Sequence, residues 1–168
     1  MTLEIRPERE HDQRAIGDLT RLAFAGKPYA GGDEQDVIDR LREASALSGS
    51  LVAVEGGIVI GQVSFSPAAN SDAIGDWYAL GPIAVRPDHQ GEGIGGALIE
   101  AGIEAIAKRG AAGCILTGDP GYYTRQGFVP APEHCPPSEP AEYFLVRTIG
   151  EQKLVGRFAF HGAFYGDA

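Results

Sequence analysis

Apolar and polar residues alternate from Leu3 to Arg6 and stop at Pro7, after which Ile16, Leu19 and Ala23 recur at helical spacing. A strand and then a helix are expected. Gly31-Gly32 interrupts the chain, Asp33 offers a side chain suited to capping, and Val37, Leu41 and Ala44 predict a second helix over residues 33–45. Two Val- and Ile-rich runs, residues 51–55 and 58–66, flank Gly56-Gly57, a pair that accepts the positive φ of a two-residue turn. They predict an antiparallel hairpin. After a small, polar loop over 70–76, residues 77–85 are apolar but contain Gly81-Pro82. Proline donates no ladder hydrogen bond and glycine marks bulges, so this strand should be interrupted and splayed from its neighbour.

From Ile94 onward, Ala97, Leu98, Ala101, Ala105 and Ile106 form an apolar face, with Glu100, Glu104 and Lys108 in a row opposite; Gly110 is placed to end this long helix. Residues 114–117 read as a buried strand and 120–126 as a short helix with Pro at its first position. Phe128 begins another strand, a Pro-rich loop covers 130–140, and two last strands fall at about 142–148 and 154–160.

Length and charge narrow the function. With 168 residues the chain fits one domain, 1–168, and its 24 glycines carry no period, so they serve local backbone geometry. Fourteen basic against 23 acidic residues leave a net charge of -9, and no basic stripe stands out. Nucleic acid is not an expected partner, and a cationic or amine ligand suits the charge better. No apolar run approaches the ~18 residues of a membrane span, and the first residues lack the apolar core of a signal peptide, so a cytoplasmic location without a membrane partner is expected. Cys114 and Cys135 lack zinc-site spacing, even with His134 adjacent to Cys135, so no metal is expected.

The chemistry concentrates in Gln90-Gly91-Glu92-Gly93-Ile94-Gly95-Gly96, between a strand and the start of the long helix. Glycines there let the backbone turn its N–H groups inward, and the helix N-terminus adds partial positive charge, so phosphate is the natural guest. A turn that merely packs helix on sheet is the alternative. Positions 91, 93 and 96 satisfy G-x-G-x-x-G, but residues 86–90 separate them from the strand, unlike a dinucleotide fold, and no Gly-Lys-Ser or Gly-Lys-Thr is present for a nucleotide triphosphate loop.

Read as Gln90-x-x-Gly93-x-Gly95 after a strand ending at Val85, the segment resembles the coenzyme A pyrophosphate loop of the GNAT N-acetyltransferase superfamily. Tyr123-Thr124-Arg125-Gln126-Gly127-Phe128 is similar to that superfamily's Tyr-x-x-x-Gly-Phe. The run from Gly118 to Tyr123, with residues 81–85 and His161-Gly162-Ala163-Phe164, further resembles a branch of small, mostly bacterial predicted acetyltransferases. The resemblance implies an α/β (α+β) fold: a mixed, mostly antiparallel sheet flanked by helices, its core over about 3–130 and its last strands over about 141–164.

It also implies a mechanism. Acetyl-coenzyme A would lie in the cleft of the bulged strand, its pantetheine arm along Ile83, Ala84 and Val85 and its pyrophosphate on the amides of Gly91, Glu92, Gly93, Ile94, Gly95 and Gly96, with Gln90 at the loop's first position. A backbone N–H, from Val85 or its neighbour Ala84, would stabilise the oxyanion. The superfamily's general-acid position falls on Tyr123, which could alternatively pack on the pantetheine; Tyr122 would face elsewhere. No glutamate occupies the bulged strand, and Asp76, Asp119 and His161 are the remaining candidates for a base, with capping or packing roles open to each. The implied acceptor is a primary amine, of a small molecule or of a protein or peptide, and the terminal strands could support a homodimer. Two rival readings stand beside this one: a coenzyme A binding sensor that has lost catalysis, and a nicotinamide dehydrogenase using the 91, 93 and 96 glycines.

Overall fold

The computed structural model describes residues 2–27, 32–72, 75–151 and 153–166, so Gly31 and two residues of the predicted 70–76 loop lie outside the described residues. The opening alternation forms β1 (Leu3–Pro7), followed by α1 (Gln13–Phe24), whose Ile16, Leu19 and Ala23 are buried as the spacing requires. The next helix, α2, is Glu34–Glu43. It is shorter than expected: Ala44 is exposed, and the Asp33 carboxylate pairs with Arg40 at 3.0 Å and makes no cap hydrogen bond.

The hairpin is β2 (Gly49–Glu55) with β3 (Ile58–Asn70), joined by Gly56 and Gly57 at φ 58° and 78°. These left-handed angles are the ones the turn demands, and β3 runs four residues past the predicted end. The apolar run 77–85 forms β4 (Trp77–Val85), then come α3 (Ile94–Ala107), β5 (Gly113–Thr117), α4 (Pro120–Tyr123), β6 (Val129–Pro130), β7 (Phe144–Thr148) and β8 (Phe158–Ala159). The sheet order is β1-β2-β3-β4-β5-β7-β6, with β8 on the far end of β3. Every neighbour is antiparallel except β4 and β5, which run parallel. Among the described residues no helix is long and apolar enough to cross a membrane.

The sheet separates two layers. On one face Ile94, Leu98, Ile99, Ile103 and Ile106 of α3 pack with Val63, Phe65, Leu80, Cys114 and Leu116. The other face carries α1, α2 and the C-terminal segment, with Trp77, Ala79, Ile115, Phe144, Val146 and Phe158 in one cluster and Leu19, Ala23 and Ala84 in another. The buried stripe of α3 is rotated from the expected one: Ile99, Gly102 and Ile103 are inside, while Ala97, Ala101 and Ala105 are only half-buried. The physical reason is size, because isoleucine removes more apolar area from water than alanine and takes the deeper position. Glu100 leaves the expected row to meet Arg147 at 2.6 Å, whereas Glu104 and Lys108 do pair, at 3.5 Å.

The late strands are shorter than predicted. Phe128 is a core residue, 1% exposed, just before β6 begins. Only two residues of the expected last strand join the sheet, because Gly156 turns the chain at φ 64° and the Asn70 side chain takes the Val155 carbonyl at 2.9 Å.

Candidate active site

The site begins where β4 and β5 part. Their parallel pairing spans Trp77–Gly113, Tyr78–Cys114 and Ala79–Ile115, and among the described residues the rest of β4 keeps only β3 as a partner. The parting coincides with a bulge: Val63 pairs with Ile83 and Phe65 with Leu80, so Gly81 and Pro82 together face the single residue Ser64. Gly81 sits at φ 138°, which a side chain would resist, and its peptide bond to Pro82 is cis. The expected interrupted, splayed strand is present in this form.

Beyond the bulge the backbone of β4 has a free edge. The Arg86 N–H donates to the Ile60 carbonyl at 2.8 Å, so strand alternation turns the Ala84 backbone toward β3 and leaves the Ile83 and Val85 polar groups facing the split. The Val85 carbonyl there accepts from the Gln90 side-chain amide at 3.0 Å. Ala84, by contrast, is 4% exposed and packs its methyl group against α1. Of the two residues considered as oxyanion donors, Val85 thus has its N–H on the open side and Ala84 does not.

The glycine loop closes one end of the split. Gly91 and Gly93 both sit at φ 83°, and the first bond of α3 runs from the Ala97 N–H to the Gly93 carbonyl at 3.1 Å. The N–H groups of Ile94, Gly95 and Gly96 therefore precede the helical ladder, and among the described residues no side-chain cap is seen at this end. The Glu92 carboxylate is turned toward His89, 3.1 Å away. Gly95 and Gly96 are small for a different reason: a Cβ would stand 2.6 Å from the Tyr122 hydroxyl oxygen at Gly95 and 3.2 Å from the Gln126 amide at Gly96. The 120–126 segment thus leans directly on the loop.

That segment also places the tyrosines. Asp119 caps α4 by accepting from the Gly121 N–H at 3.0 Å, as one of its expected roles requires. Tyr123 packs on the α3 side of β5, edge-on to Phe128 with ring centres 5.9 Å apart, against Gly118, where a Cβ would lie 2.5 Å from the ring. Tyr122 instead reaches over α3, and burial raises its phenol above the ordinary tyrosine range while Arg125, 5.8 Å above the ring, pulls the other way. Arg125 thus brings a cation over the tyrosine that reaches Gly95, a placement that the motif containing it did not predict. Its signal was its place two residues after Tyr123, on the turn that follows α4.

The other candidates for a base are differently engaged. Asp76 is exposed, and its backbone carbonyl accepts from Ala112 at 2.7 Å. His161 does not lie on a strand: it caps the C-terminal turn Gly162–Tyr165, its Nδ1 accepting from the Ala163 N–H at 3.0 Å. Cys114 and Cys135 are buried free thiols, and burial pushes Cys114 far above the ordinary thiol range.

A family model for the acetyltransferase (GNAT) domain matches residues 47–130, the stretch from β2 through the bulge, the glycine loop and α4 to β6. The uncharacterized N-acetyltransferase YhbS of Escherichia coli (strain K12) is 33% identical over 158 residues, 90% of each chain. The chain belongs to the GNAT acetyltransferase family. Its mixed, mostly antiparallel sheet with the split between β4 and β5 is the GNAT fold. A GNAT acetyltransferase from Brucella melitensis, solved in complex with acetyl-CoA, superposes with a TM-score of 0.85 at 42% identity, over 97% of this chain and 98% of that one. The E. coli YhbS structure, in complex with CoA, gives 0.87 at 29% identity, over 97% and 92%.

Proposed function

We propose that this chain is a cytoplasmic N-acetyltransferase that moves an acetyl group from acetyl-coenzyme A to a primary amine by direct attack in a ternary complex. The observation that carries this reading is an opened sheet edge with an uncapped helix N-terminus at its end. A pyrophosphate fits the second feature, since the positive-φ glycines and the amides of residues 94–96 offer donors and partial positive charge. In this reading residues 91–96 hold it, and Gln90 fixes the end of β4 through the Val85 carbonyl. The backbone edge of Ile83 and Val85 receives the pantetheine arm as an added strand, Ala84 anchors that edge to β3, and the Val85 N–H stabilises the oxyanion. That relatives of this fold were solved with acetyl-CoA and with CoA supports coenzyme A as the ligand.

The amine attacks as its neutral form. Its nitrogen forms the bond to the carbonyl carbon, the carbon–sulfur bond breaks, and the Tyr123 hydroxyl gives its proton to the departing thiolate; a proton lost from nitrogen restores the phenol. Because a thiol of pKa ~8.5 is the stronger acid of the two, this transfer needs the hydroxyl in contact with sulfur. The reading takes the described chain as one catalytic domain, residues 1–168, with a homodimer through the terminal strands as its assembly.

The test is calorimetric titration with acetyl-coenzyme A of the wild type and of Gly93→Glu, which sets a bulky anion at a φ of 83° in the loop. Micromolar binding that the variant loses is expected, and an unliganded wild type overturns the reading. Thiol release with a panel of amines then separates catalysis from mere binding, because a coenzyme A sensor binds without turnover. Tyr123→Phe should lower kcat at least tenfold with unchanged cofactor affinity; turnover within twofold removes Tyr123 from the acid's role.

A further inference from the structure

An acetyltransferase must receive its amine, and β4 carries no carboxylate for that purpose. Other acids held by this fold are tied to arginines: Asp12 to Arg6 at 2.7 Å, Glu8 to Arg42 at 3.0 Å, Asp33 to Arg40 at 3.0 Å and Glu100 to Arg147 at 2.6 Å. Glu139 is tied to hydroxyls instead. Its Oε1 accepts from the Thr117 hydroxyl at 2.8 Å and its Oε2 from the Tyr165 hydroxyl at 2.6 Å. The Tyr165 oxygen accepts in turn from Ser138 at 3.2 Å, so the protons of three hydroxyls run toward one carboxylate. Among the described residues no ion pair includes Glu139.

Two features of this arrangement bear on a ligand. A carboxylate has about four acceptor directions, and the two hydroxyls use one on each oxygen, leaving one open on each. Burial, together with the contact to Glu139, pushes the Tyr165 phenol up to about 12, so it stays a neutral donor and never competes as an anion. The brace therefore fixes the carboxylate without neutralising it.

Its location connects it to the reaction. Thr117 is the last residue of β5, two past Ile115, where pairing with β4 ends, and it shares with Ile115 the face turned away from α3. Tyr123 borders the same end of β5 from the α3 side, against Gly118. A thioester donor seated on the α3 loop leaves the opposite face for the nucleophile. Glu139 stands at that face, next to the C-terminal turn.

We infer that Glu139, braced by Thr117 and Tyr165, is the recognition carboxylate that seats the acceptor as a protonated aliphatic amine at the mouth of the split. The inference rests on the acetyltransferase reading above. An ammonium group has three donors; two match the open carboxylate directions, and the third, turned toward the split, is given up to water before the nitrogen attacks as the neutral amine. Alcohols and aromatic amines, uncharged at neutral pH, gain only an ordinary hydrogen bond from this carboxylate. The net charge of -9 favours the approach of cations to the surface as a whole.

The test uses the full chain, saturated with coenzyme A and titrated with n-butylamine and with n-butanol, its uncharged counterpart. Saturable binding of the amine and none of the alcohol is expected. Glu139→Gln, which keeps the shape and removes the charge, should weaken the amine at least tenfold, Glu139→Asp should recover part of the loss, and acetyl-coenzyme A affinity should stay within twofold in both. Thr117→Val and Tyr165→Phe should each weaken the amine about threefold, and no change in either overturns the bracing. Equal amine affinity in wild type and Glu139→Gln, or no saturable amine binding by a wild type that takes up acetyl-coenzyme A, overturns the assignment and leaves the acetyltransferase reading standing. If acetyl-coenzyme A itself does not bind, both fall, and that is visible before any amine is added.

Discussion

A methyl group at Gly95 would set two opposing effects against each other at the start of α3. The backbone there is helical and Gly95 has no positive φ, so alanine should stabilise the helix by up to about 1 kcal/mol through its higher propensity. The new Cβ, however, would stand 2.6 Å from the Tyr122 hydroxyl oxygen, roughly 0.8 Å inside ordinary contact. Tyr122 is held edge-on to Tyr123 with ring centres 4.9 Å apart, and forcing it aside should cost about 1–3 kcal/mol. The single variant is thus expected to be neutral to about 2 kcal/mol less stable. Removing the obstacle reverses the sign. In Tyr122→Phe the next neighbours of the added carbon are the ring carbon Cζ at 3.8 Å and Val85 Cγ2 at 3.9 Å, both ordinary contacts, so Gly95→Ala should then stabilise by about 0.5–1 kcal/mol. Urea unfolding of the wild type, both single variants and the double variant, without ligand, measures the coupling directly, and about 1–3 kcal/mol is expected. A Gly95→Ala effect that agrees within about 0.3 kcal/mol in the two backgrounds would refute the claim that the Tyr122 hydroxyl lies over the glycine loop.

Gly102→Ala tests the packing beneath the same helix: its Cβ would collide with the edge of the Phe65 ring, which is 2% exposed, and a loss of about 2–3 kcal/mol in urea unfolding is expected. A fully stable variant would contradict the close approach of α3 to β3. Asp12 provides a pH test, because its hydrogen bonds with the Arg6 guanidinium hold its carboxyl down at about 2, below an ordinary value of 3.8. A lowered folded-state pKa gives stability that is complete above the unfolded value and is lost as pH falls toward the folded one, here about 2 kcal/mol between roughly pH 5 and pH 2. Thermal melting of Asp12→Asn should therefore start lower at pH 7 and fall less on acidification than the wild type; parallel curves would sink the assignment.

What could be read along the chain was what depends on near neighbours. Gly56-Gly57 between two β-branched runs, Gly81-Pro82 within an apolar run, and the cluster around Gly93 each impose backbone geometry locally, and each appears where it was expected. Asp119 and the short helix after it were legible for the same reason. The misses depend on competition across the fold. The face of α3 turned because Ile99 and Ile103 took the core ahead of three alanines, Asp33 gave up its capping role to an arginine seven residues on, and Glu100 left its helix for Arg147. The Glu139 brace lies furthest from local inference, since Thr117 is 22 residues before it and Tyr165 is 26 after it. Only the pairing of β5 with β7 and the fold of the C-terminal turn bring the three together.

The bulge in β4 has a further consequence for how this strand can change. Tyr78 and Leu80 lie on the α3 face before it, as do Ile83 and Val85 after it, because two residues occupy the space of one. Ordinary alternation would have sent Ile83 and Val85 to the other layer and Ala84 to this one. A one-residue deletion at position 81 or 82 would therefore straighten the strand and leave both layers as they are: with a single residue opposite Ser64, Ile83 and Val85 still turn to α3 and Ala84 to α1. The bulge is thus a place where β4 can lose a residue while both layers keep their tenants, and what the loss removes is the second residue opposite Ser64, not a core contact.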